Sequence, residues 1–135
     1  PPTAWDPAHL TRLPVTSAGE AAAAARALGR PCLVTSVPCG EGRIGMVCHD
    51  GHYARLYSHA RIEGVPNGTG DLVTALFAAG MMLGLAPLVA AEGAGRGVLE
   101  AVLAAKDWNA QDLPLVALGE RLVGPSARVT VEDLS

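Results

Sequence analysis

Apolar positions near the start of the chain predict a helix followed by a short buried strand. Ser17 stands three residues before Glu20, which is the spacing of a capping box, and an alanine-rich helix over 18–28 follows and stops at Gly29. The β-branched run 32–37 then predicts a buried strand. Because a helix, a tight loop and a buried strand form the repeating unit of α/β folds, the pattern predicts that class.

The next segment alternates apolar and polar residues and predicts an antiparallel hairpin near 43–57. Its two strands, 43–49 and 52–57, flank Asp50 and Gly51, a dipeptide that suits a two-residue turn. Three side chains of the first strand alternate onto one face: Ile44, Met46 and Cys48.

Two longer apolar stretches predict two more helices. The first, over 71–83, is apolar nearly all round and is therefore expected to be buried. The second, over 88–106, contains three glycines, each of which costs up to about 1 kcal/mol relative to alanine in a helix. The tail is expected to add two short strands, at 115–118 and 128–131.

Composition narrows the class of protein. A chain of 135 residues, half of them hydrophobic, suffices for one modest domain with a core. The net charge of −3 and the lack of a basic stripe argue against nucleic acid or an anionic membrane as partner. The longest uncharged run, 72–91, is interrupted by glycines and a proline, so it predicts two helices rather than a membrane span. Three loosely spaced cysteines (Cys32, Cys39 and Cys48) argue against a disulfide framework or a zinc site and fit the cytoplasm.

A glycine-rich turn, 67–71, directly precedes the first of these apolar helices. Such a turn leaves the first backbone N–H groups of the helix pointing forward, and the helix dipole adds partial positive charge there, which makes an anion site. Asp71 lies at the edge of this anion site, where its negative charge would repel an anion. It could, however, accept a proton from an alcohol that attacks the bound anion, and this arrangement indicates phosphoryl transfer. The alternative is a plain turn whose glycines allow positive φ, with Asp71 stabilising the helix start.

Other polar residues have weaker claims. Thr35 and Ser36 end the predicted strand, where hydroxyls could bind a phosphate or bond the local backbone. A metal site formed by His49, His52 and their neighbours is disfavoured, because adjacent strand residues point to opposite faces. His9 and His59 are expected to be ordinary surface or loop residues, and Arg55 and Arg61 are the cations nearest the glycine turn in sequence.

Several motifs, in order, resemble the C-terminal half of pyridoxal kinases in the ribokinase-like superfamily. The glycine turn and its apolar helix look like the superfamily signature, and the run 33–36 looks like the strand whose terminal Thr-Ser faces the ATP phosphates. The segment 83–88 resembles the turn between the two following helices. The closing segment, 113–125, points to pyridoxal kinase in particular.

The resemblance implies a fold and a set of roles. The fold is the C-terminal part of a three-layer α/β/α domain, and residues 1–135 form one partial domain. Asp71 would be the catalytic base and contact the substrate alcohol, and Gly68, Thr69 and Gly70 would form the anion hole. Thr35 and Ser36 would contact the ATP phosphates. The reaction would use ATP and a divalent cation, Mg²⁺, to phosphorylate the 5′-hydroxymethyl group of pyridoxal, pyridoxine or pyridoxamine, in a protein expected to be a cytoplasmic homodimer when complete.

The sequence departs from the family in two places. Relatives carry Pro-Asn-x-x-Glu before this half, whereas the corresponding stretch 2–6 has Thr3 for Asn and the shorter Asp6 for Glu. Metal binding would therefore be weakened, or Asp6 would contact the metal through water. The family's N-terminal half is also missing, and the piece alone is expected to be inactive. Two alternatives therefore stay open: a related kinase acting on hydroxymethylpyrimidine or a sugar, and a non-catalytic remnant that binds nucleotide or dimerises.

Overall fold

The computed structural model describes residues 17–64, 69–108, 118–122 and 124–134, with the side chain of residue 120 excepted. Three α-helices, four strands and a 3₁₀ turn account for most of these residues. In chain order they are α1 (Ala18–Ala27), β1 (Cys32–Pro38), β2 (Arg43–His49), β3 (Ala54–Ala60), α2 (Thr69–Met82), α3 (Pro87–Asp107), the 3₁₀ turn (Gly119–Leu122) and β4 (Thr130–Asp133).

Of the two hydrogen bonds that define a capping box, the one accepted by the side chain of Ser17 is observed at the start of α1. The hydroxyl of Ser17 accepts a hydrogen bond from the backbone N–H of Glu20 at 3.1 Å. This bond satisfies one of the N–H groups that the first turn of a helix leaves without a helical partner. The helix ends as predicted beside Gly29, whose φ of +66° favours glycine.

The four strands form one antiparallel sheet in the order β1-β2-β3-β4. The predicted hairpin is confirmed, but the two-residue turn is wrong, because four residues, 50–53, join the strands. The carboxylate of Asp50 accepts from the N–H groups of His52 at 2.8 Å and Tyr53 at 2.6 Å. An aspartate that bonds the backbone two residues on builds its own turn, and this turn sets the longer loop.

Helices cover both faces of the sheet, which gives the three layers that the sequence predicts. On one face α1 packs its buried alanines against Val34, Val37, Val47 and Leu56. On the other face α2 and α3 pack against a second set of sheet residues, Leu33, Met46, Cys48 and Tyr57. Successive residues of β2 and β3 thus alternate between the two cores, as the pleat of a strand requires.

The prediction that α2 is buried holds for one face of the helix only. One face, including Leu72, Val73 and Phe77, packs against α3 and the sheet. Towards its C-terminal end, however, Met82 is 88% exposed and Leu83, just beyond the helix, is 82% exposed. An apolar sequence showed that α2 could be buried all round, but within the described part of the chain only one side meets packing partners.

Close packing explains the glycines of α3, which runs unbroken through them. A Cβ added at Gly97 would stand 2.7 Å from the backbone oxygen of Leu122 and 2.7 Å from Leu76 Cδ1. A Cβ at Gly95 would stand 2.8 Å from Met46 Cε. The helix therefore approaches its neighbours more closely than a side chain would allow, and this close packing offsets the low helix propensity of glycine.

The tail is only partly as predicted. A strand forms at Thr130–Asp133 rather than at 128–131, and it pairs with β3 so that Val131 lies opposite Tyr57. Of the other predicted strand, 115–117 lie outside the described residues, and Leu118 is helical. No helix among the described residues is long and apolar enough to cross a membrane.

The three cysteines are free, as their number and spacing predict. Cys32 and Cys48 are fully buried, and burial raises the pKa of Cys32 to about 11 and that of Cys48 to about 12. Both thiols therefore stay protonated at neutral pH and behave as small core residues.

Candidate active site

A β-bulge interrupts β1 in its second half. Before it Val34 lies opposite Val47 of β2, and after it Val37 lies opposite Gly45. Three steps along β1 thus match two steps along β2, so one extra residue is accommodated within 35–36. A bulge of this kind changes the direction in which the side chains of its strand point.

The bulge brings two hydroxyl residues to one side of the sheet. Strand alternation alone would send Thr35 and Ser36 to opposite faces, yet both line the same cavity and Val37 returns to the core beside α1. Ser36 has a φ of +55°, the one positive value among the described residues other than glycine. Non-glycine residues held in this conformation are uncommon and cluster at functional sites.

The cavity lies between the sheet and the two helices α2 and α3, and its volume is about 490 Å³. At its polar end Thr35 and Ser36 meet Thr69 and Gly70 from the first turn of α2. The space in front of Gly70 is open, since a Cβ added there would meet no atom within 4 Å. The first backbone N–H groups of a helix and two hydroxyls therefore border one open volume, an arrangement that suits an anion.

Asp71 lies in the first turn of α2 and is exposed. Its carboxylate is not packed into the core, so solvent or a substrate can reach it. Gly68 and Asp6, the other residues predicted for the anion hole and the metal, lie outside the described residues. The structure thus brings together Thr35, Ser36, Thr69 and Gly70, with Asp71 next in sequence.

The cavity also has two basic residues in its wall, one of which the sequence reasoning missed. Arg61, noted as a nearby cation, lines the cavity. Arg55 does not, because its guanidinium pairs with Asp133 of β4 at 2.7 Å. His59 was expected to be an ordinary surface or loop residue, and this expectation is wrong, since it lies on β3 and lines the cavity. The sequence reasoning missed it because the predicted strand ended at 57, whereas β3 continues to Ala60 and so carries His59 on the same face as Tyr57.

The remaining wall of the cavity is apolar. Its side chains come from β2, from α3 and from the segment before β4: Ile44, Met46, Val98, Val102 and Val129. Tyr57 lies among them, and its hydroxyl donates to the carbonyl of Leu88 at 2.7 Å. Burial raises the pKa of this phenol, so it stays neutral. A polar end and an apolar chamber suit a ligand with an anionic part and a flat hydrophobic part.

Two residues of α3 hold the backbone that leads to Val129. Arg96 donates to the carbonyls of Pro125 at 2.7 Å and Ala127 at 2.9 Å. Glu100 is 5% exposed and accepts from the N–H groups of Ser126 at 2.9 Å and Ala127 at 3.1 Å, and it also accepts from the Ser126 hydroxyl at 3.0 Å.

The guanidinium of Arg121 pairs with the other oxygen of the Glu100 carboxylate. This ion pair, together with the backbone hydrogen bonds, lowers the pKa of Glu100 to about 2 despite its burial. The ionised carboxylate of Glu100 thus accepts four hydrogen bonds, three of them from Ser126 and Ala127. Together with the bonds from Arg96, they hold the segment 125–127 against α3.

Metal-binding residues are scarce. Among the described residues no group of three or more His, Cys, Asp and Glu side chains could hold a metal ion. At the hairpin turn, His49 is buried and its Nδ1 accepts from the Gly51 N–H at 3.0 Å.

Comparison with curated proteins found relatives of a single kind. The chain is 33% identical over 89 residues to a pyridoxal kinase, PdxY, of Vibrio campbellii, a match that covers 64% of this chain and 30% of that protein. It is 31% identical over 123 residues to a pyridoxine/pyridoxal/pyridoxamine kinase of Bordetella bronchiseptica, covering 84% and 43%. The chain thus spans less than half the length of these curated relatives. No protein-family model matches it.

Solved structures share the fold. The pyridoxal kinase of Entamoeba histolytica matches with a TM-score of 0.73 at 21% identity, over 92% of this chain and 46% of that one. A putative phosphomethylpyrimidine kinase of Bacteroides thetaiotaomicron matches with 0.71 at 19% identity, over 86% and 42%. The pyridoxal kinase of Leishmania donovani, solved with ADP and pyridoxine, matches with 0.64 at 22% identity, over 86% and 42%.

The layers, the antiparallel sheet and these structural matches define the class: the chain has the α/β fold of the ribokinase-like kinases. Within that class, its sequence relatives make it pyridoxal kinase-like. Its partial coverage of them is consistent with the predicted correspondence to one half of such an enzyme.

Proposed function

We propose that residues 1–135 are one partial domain, the nucleotide-binding and phosphoryl-transferring half of a kinase for vitamin B6. The reaction moves the γ-phosphate of ATP to the 5′-hydroxymethyl group of pyridoxal, pyridoxine or pyridoxamine. One observation carries the proposal: the bulge of β1 and the first turn of α2 place Thr35, Ser36, Thr69 and Gly70 around one open cavity. The curated relatives supply the substrate class.

The residues would act in the following way. The hydroxyls of Thr35 and Ser36 bind phosphate oxygens, and the N–H groups at the start of α2 receive the charge that develops on the migrating group. The apolar wall of the cavity accepts the base of the nucleotide. Asp71 orients the substrate hydroxyl and takes its proton late, as the bond to phosphorus forms, because a carboxylate is too weak a base to ionise a free alcohol beforehand.

A divalent cation, Mg²⁺, would neutralise phosphate charge when bound. Two carboxylates of the described residues are placed to contribute, Glu63 in the cavity wall and Asp71 in the first turn of α2, and the phosphates would supply most of the ligands. The complete protein would be a cytoplasmic homodimer.

Asp71→Asn in the complete gene product tests the role of this acid. The amide keeps the shape but cannot accept the proton, so we expect turnover with ATP and pyridoxal to fall by about 10²-fold or more. Affinity for ADP should hold or improve, since a negative charge near the phosphates is gone. Asp107→Asn, which removes the same charge from the exposed last turn of α3, is the matched control.

The same assay separates the alternatives. Hydroxymethylpyrimidine or a sugar phosphorylated much faster than pyridoxal would assign a different kinase of the same fold, an outcome that the phosphomethylpyrimidine kinase neighbour makes worth including. ADP binding without turnover in either protein would indicate a non-catalytic remnant. Unchanged turnover in Asp71→Asn would remove Asp71 as the base.

A further inference from the structure

The wall of the cavity formed by β3 holds a histidine that neither the mechanism above nor the relatives' names use. His59 lies opposite Ile44 in the register of β2 and β3 and is partly buried. It lines the same volume as the hydroxyls of Thr35 and Ser36, and Arg61, just past the end of β3, lines that volume as well.

A backbone contact sets the tautomer of the neutral ring of His59. Nδ1 of His59 lies 2.8 Å from the carbonyl oxygen of Ala60. A carbonyl can only accept, so Nδ1 carries the hydrogen and donates it, and in the neutral ring Nε2 is left as a bare acceptor. Phosphate oxygens at neutral pH are acceptors too. Neutral His59 therefore has no donor left for a phosphate, whereas the imidazolium form has one at Nε2.

A proton added to His59 would change the net charge of the cavity wall. The titratable residues that line it are Tyr57, His59, Arg61 and Glu63. Tyr57 is engaged with Leu88, and the permanent charges of Arg61 and Glu63 are opposite in sign. The lining residues from α3 carry no charge, and α2 contributes Thr69, Gly70 and Val73, with Asp71 just beyond. Protonation of His59 is thus the change that would give the wall a net positive charge.

We propose that His59 is a phosphate-binding residue that takes up a proton when a nucleotide binds, so that nucleotide affinity is higher at pH 6 than at pH 8. The inference rests on the proposed function, because it assumes that the cavity takes a nucleotide polyphosphate. Arg61 supplies the second, permanent cation of the same wall and acts at every pH.

Calorimetric titration of the chain with ADP at pH 6 and pH 8 tests this, using His59→Gln, which keeps a polar side chain of similar reach but cannot become charged. We expect ADP to bind the wild type about tenfold more tightly than His59→Gln at pH 6, the size of one charge-assisted hydrogen bond, and within about twofold at pH 8. Taking the ratio of the two proteins cancels the protonation of ADP itself. Adenosine, which lacks phosphate, should show no difference at either pH.

Two controls keep the result specific. His52→Gln removes an exposed histidine from the hairpin turn and should leave the affinity for ADP unchanged. A second uncharged variant, His59→Asn, should give the same ratios to the wild type at pH 6 and pH 8, which keeps the proposal testable if His59→Gln does not fold.

The outcomes distinguish the role of His59 from the existence of the nucleotide site. ADP binding with a ratio of wild-type to variant affinity that does not change between pH 6 and pH 8 overturns the role of His59 and leaves the nucleotide site standing. Absence of ADP binding to the wild type at both pH values overturns the nucleotide site and the role of His59 with it.

Discussion

Replacing Glu100 by Gln should cost the protein a large part of its stability at neutral pH. Oε1 of Glu100 accepts three hydrogen bonds from Ser126 and Ala127, and Oε2 pairs with Arg121. A glutamine has a single oxygen, so its NH₂ group must face either the guanidinium or the N–H and O–H donors of the tail. Donor then meets donor at a site that is 5% exposed, where water cannot easily relieve the mismatch.

The pKa of Glu100 gives the size of the effect. Lowering it from 4.5 to about 2 corresponds to about 3 kcal/mol of stabilisation of the ionised side chain in the folded state. Because the folded pKa is the lower one, this stabilisation is complete above the unfolded pKa and is lost as the pH falls through the folded pKa. At pH 3 about 2 kcal/mol of it should already be gone.

Urea unfolding followed by circular dichroism, for the wild type and Glu100→Gln at pH 7, 5 and 3, measures this directly. The difference in unfolding free energy should be about 3 kcal/mol at pH 7 and 5 and about 1 kcal/mol at pH 3, since glutamine does not titrate. Glu92→Gln on the same helix is the control and should change stability by no more than about 0.5 kcal/mol. A difference below about 0.5 kcal/mol at pH 7, or one that stays constant down to pH 3, would refute the electrostatic reasoning.

Two further variant pairs test the bulge and the close approach of α3. Ser36→Val should destabilise the chain by about 2 kcal/mol, because a β-branched residue fits poorly at a φ of +55°, whereas Ser36→Gly should be nearly neutral. Both lose the hydroxyl and should weaken ADP binding alike, and equal stability of the two would contradict a strained position. Gly97→Ala should cost about 1–3 kcal/mol through its clash with Leu122, while Gly93→Ala, which meets nothing within 4 Å, should gain up to about 1 kcal/mol. The melting temperatures of the Gly97→Ala and Gly93→Ala variants measure this difference, and similar values would contradict the packing explanation for Gly97.

The sequence carried enough information for the layers and for most element boundaries. The capping residue Ser17, the hairpin pattern and the proline at the start of α3 are local signals, and local signals give α1, β2 and α3 within a residue or two. The turn at Asp50 was misjudged because its side chain competes with the backbone for the N–H groups that define a two-residue turn. The burial of α2 was misjudged because hydropathy shows what can be buried and not what is present to cover it.

The candidate site could be only partly predicted. Residues that lie close in sequence, such as Thr69, Gly70 and Asp71, belong to a recognisable pattern. That Thr35 and Ser36 both reach the cavity depends on a one-residue slip against β2, which no local pattern in β1 specifies. His59 became part of the site through strand pairing, and Val129 through a segment held by residues nearly thirty positions away on α3.

Because the position of Val129 depends on the segment 125–127, the stability of the chain is linked to the shape of the candidate site. Arg96 and Glu100 fix 125–127, Val129 follows two residues later in the cavity wall, and β4 then pairs with β3, the strand that carries His59. A ligand that touches the apolar wall therefore binds a surface whose position is set by a buried carboxylate outside the cavity. Loosening this segment should increase its conformational freedom before binding, so Glu100→Gln should lower the affinity for adenosine as well as the stability of the fold. Adenosine affinity equal to that of the wild type, at a temperature where both proteins are folded, would mean that the wall keeps its shape without the clamp.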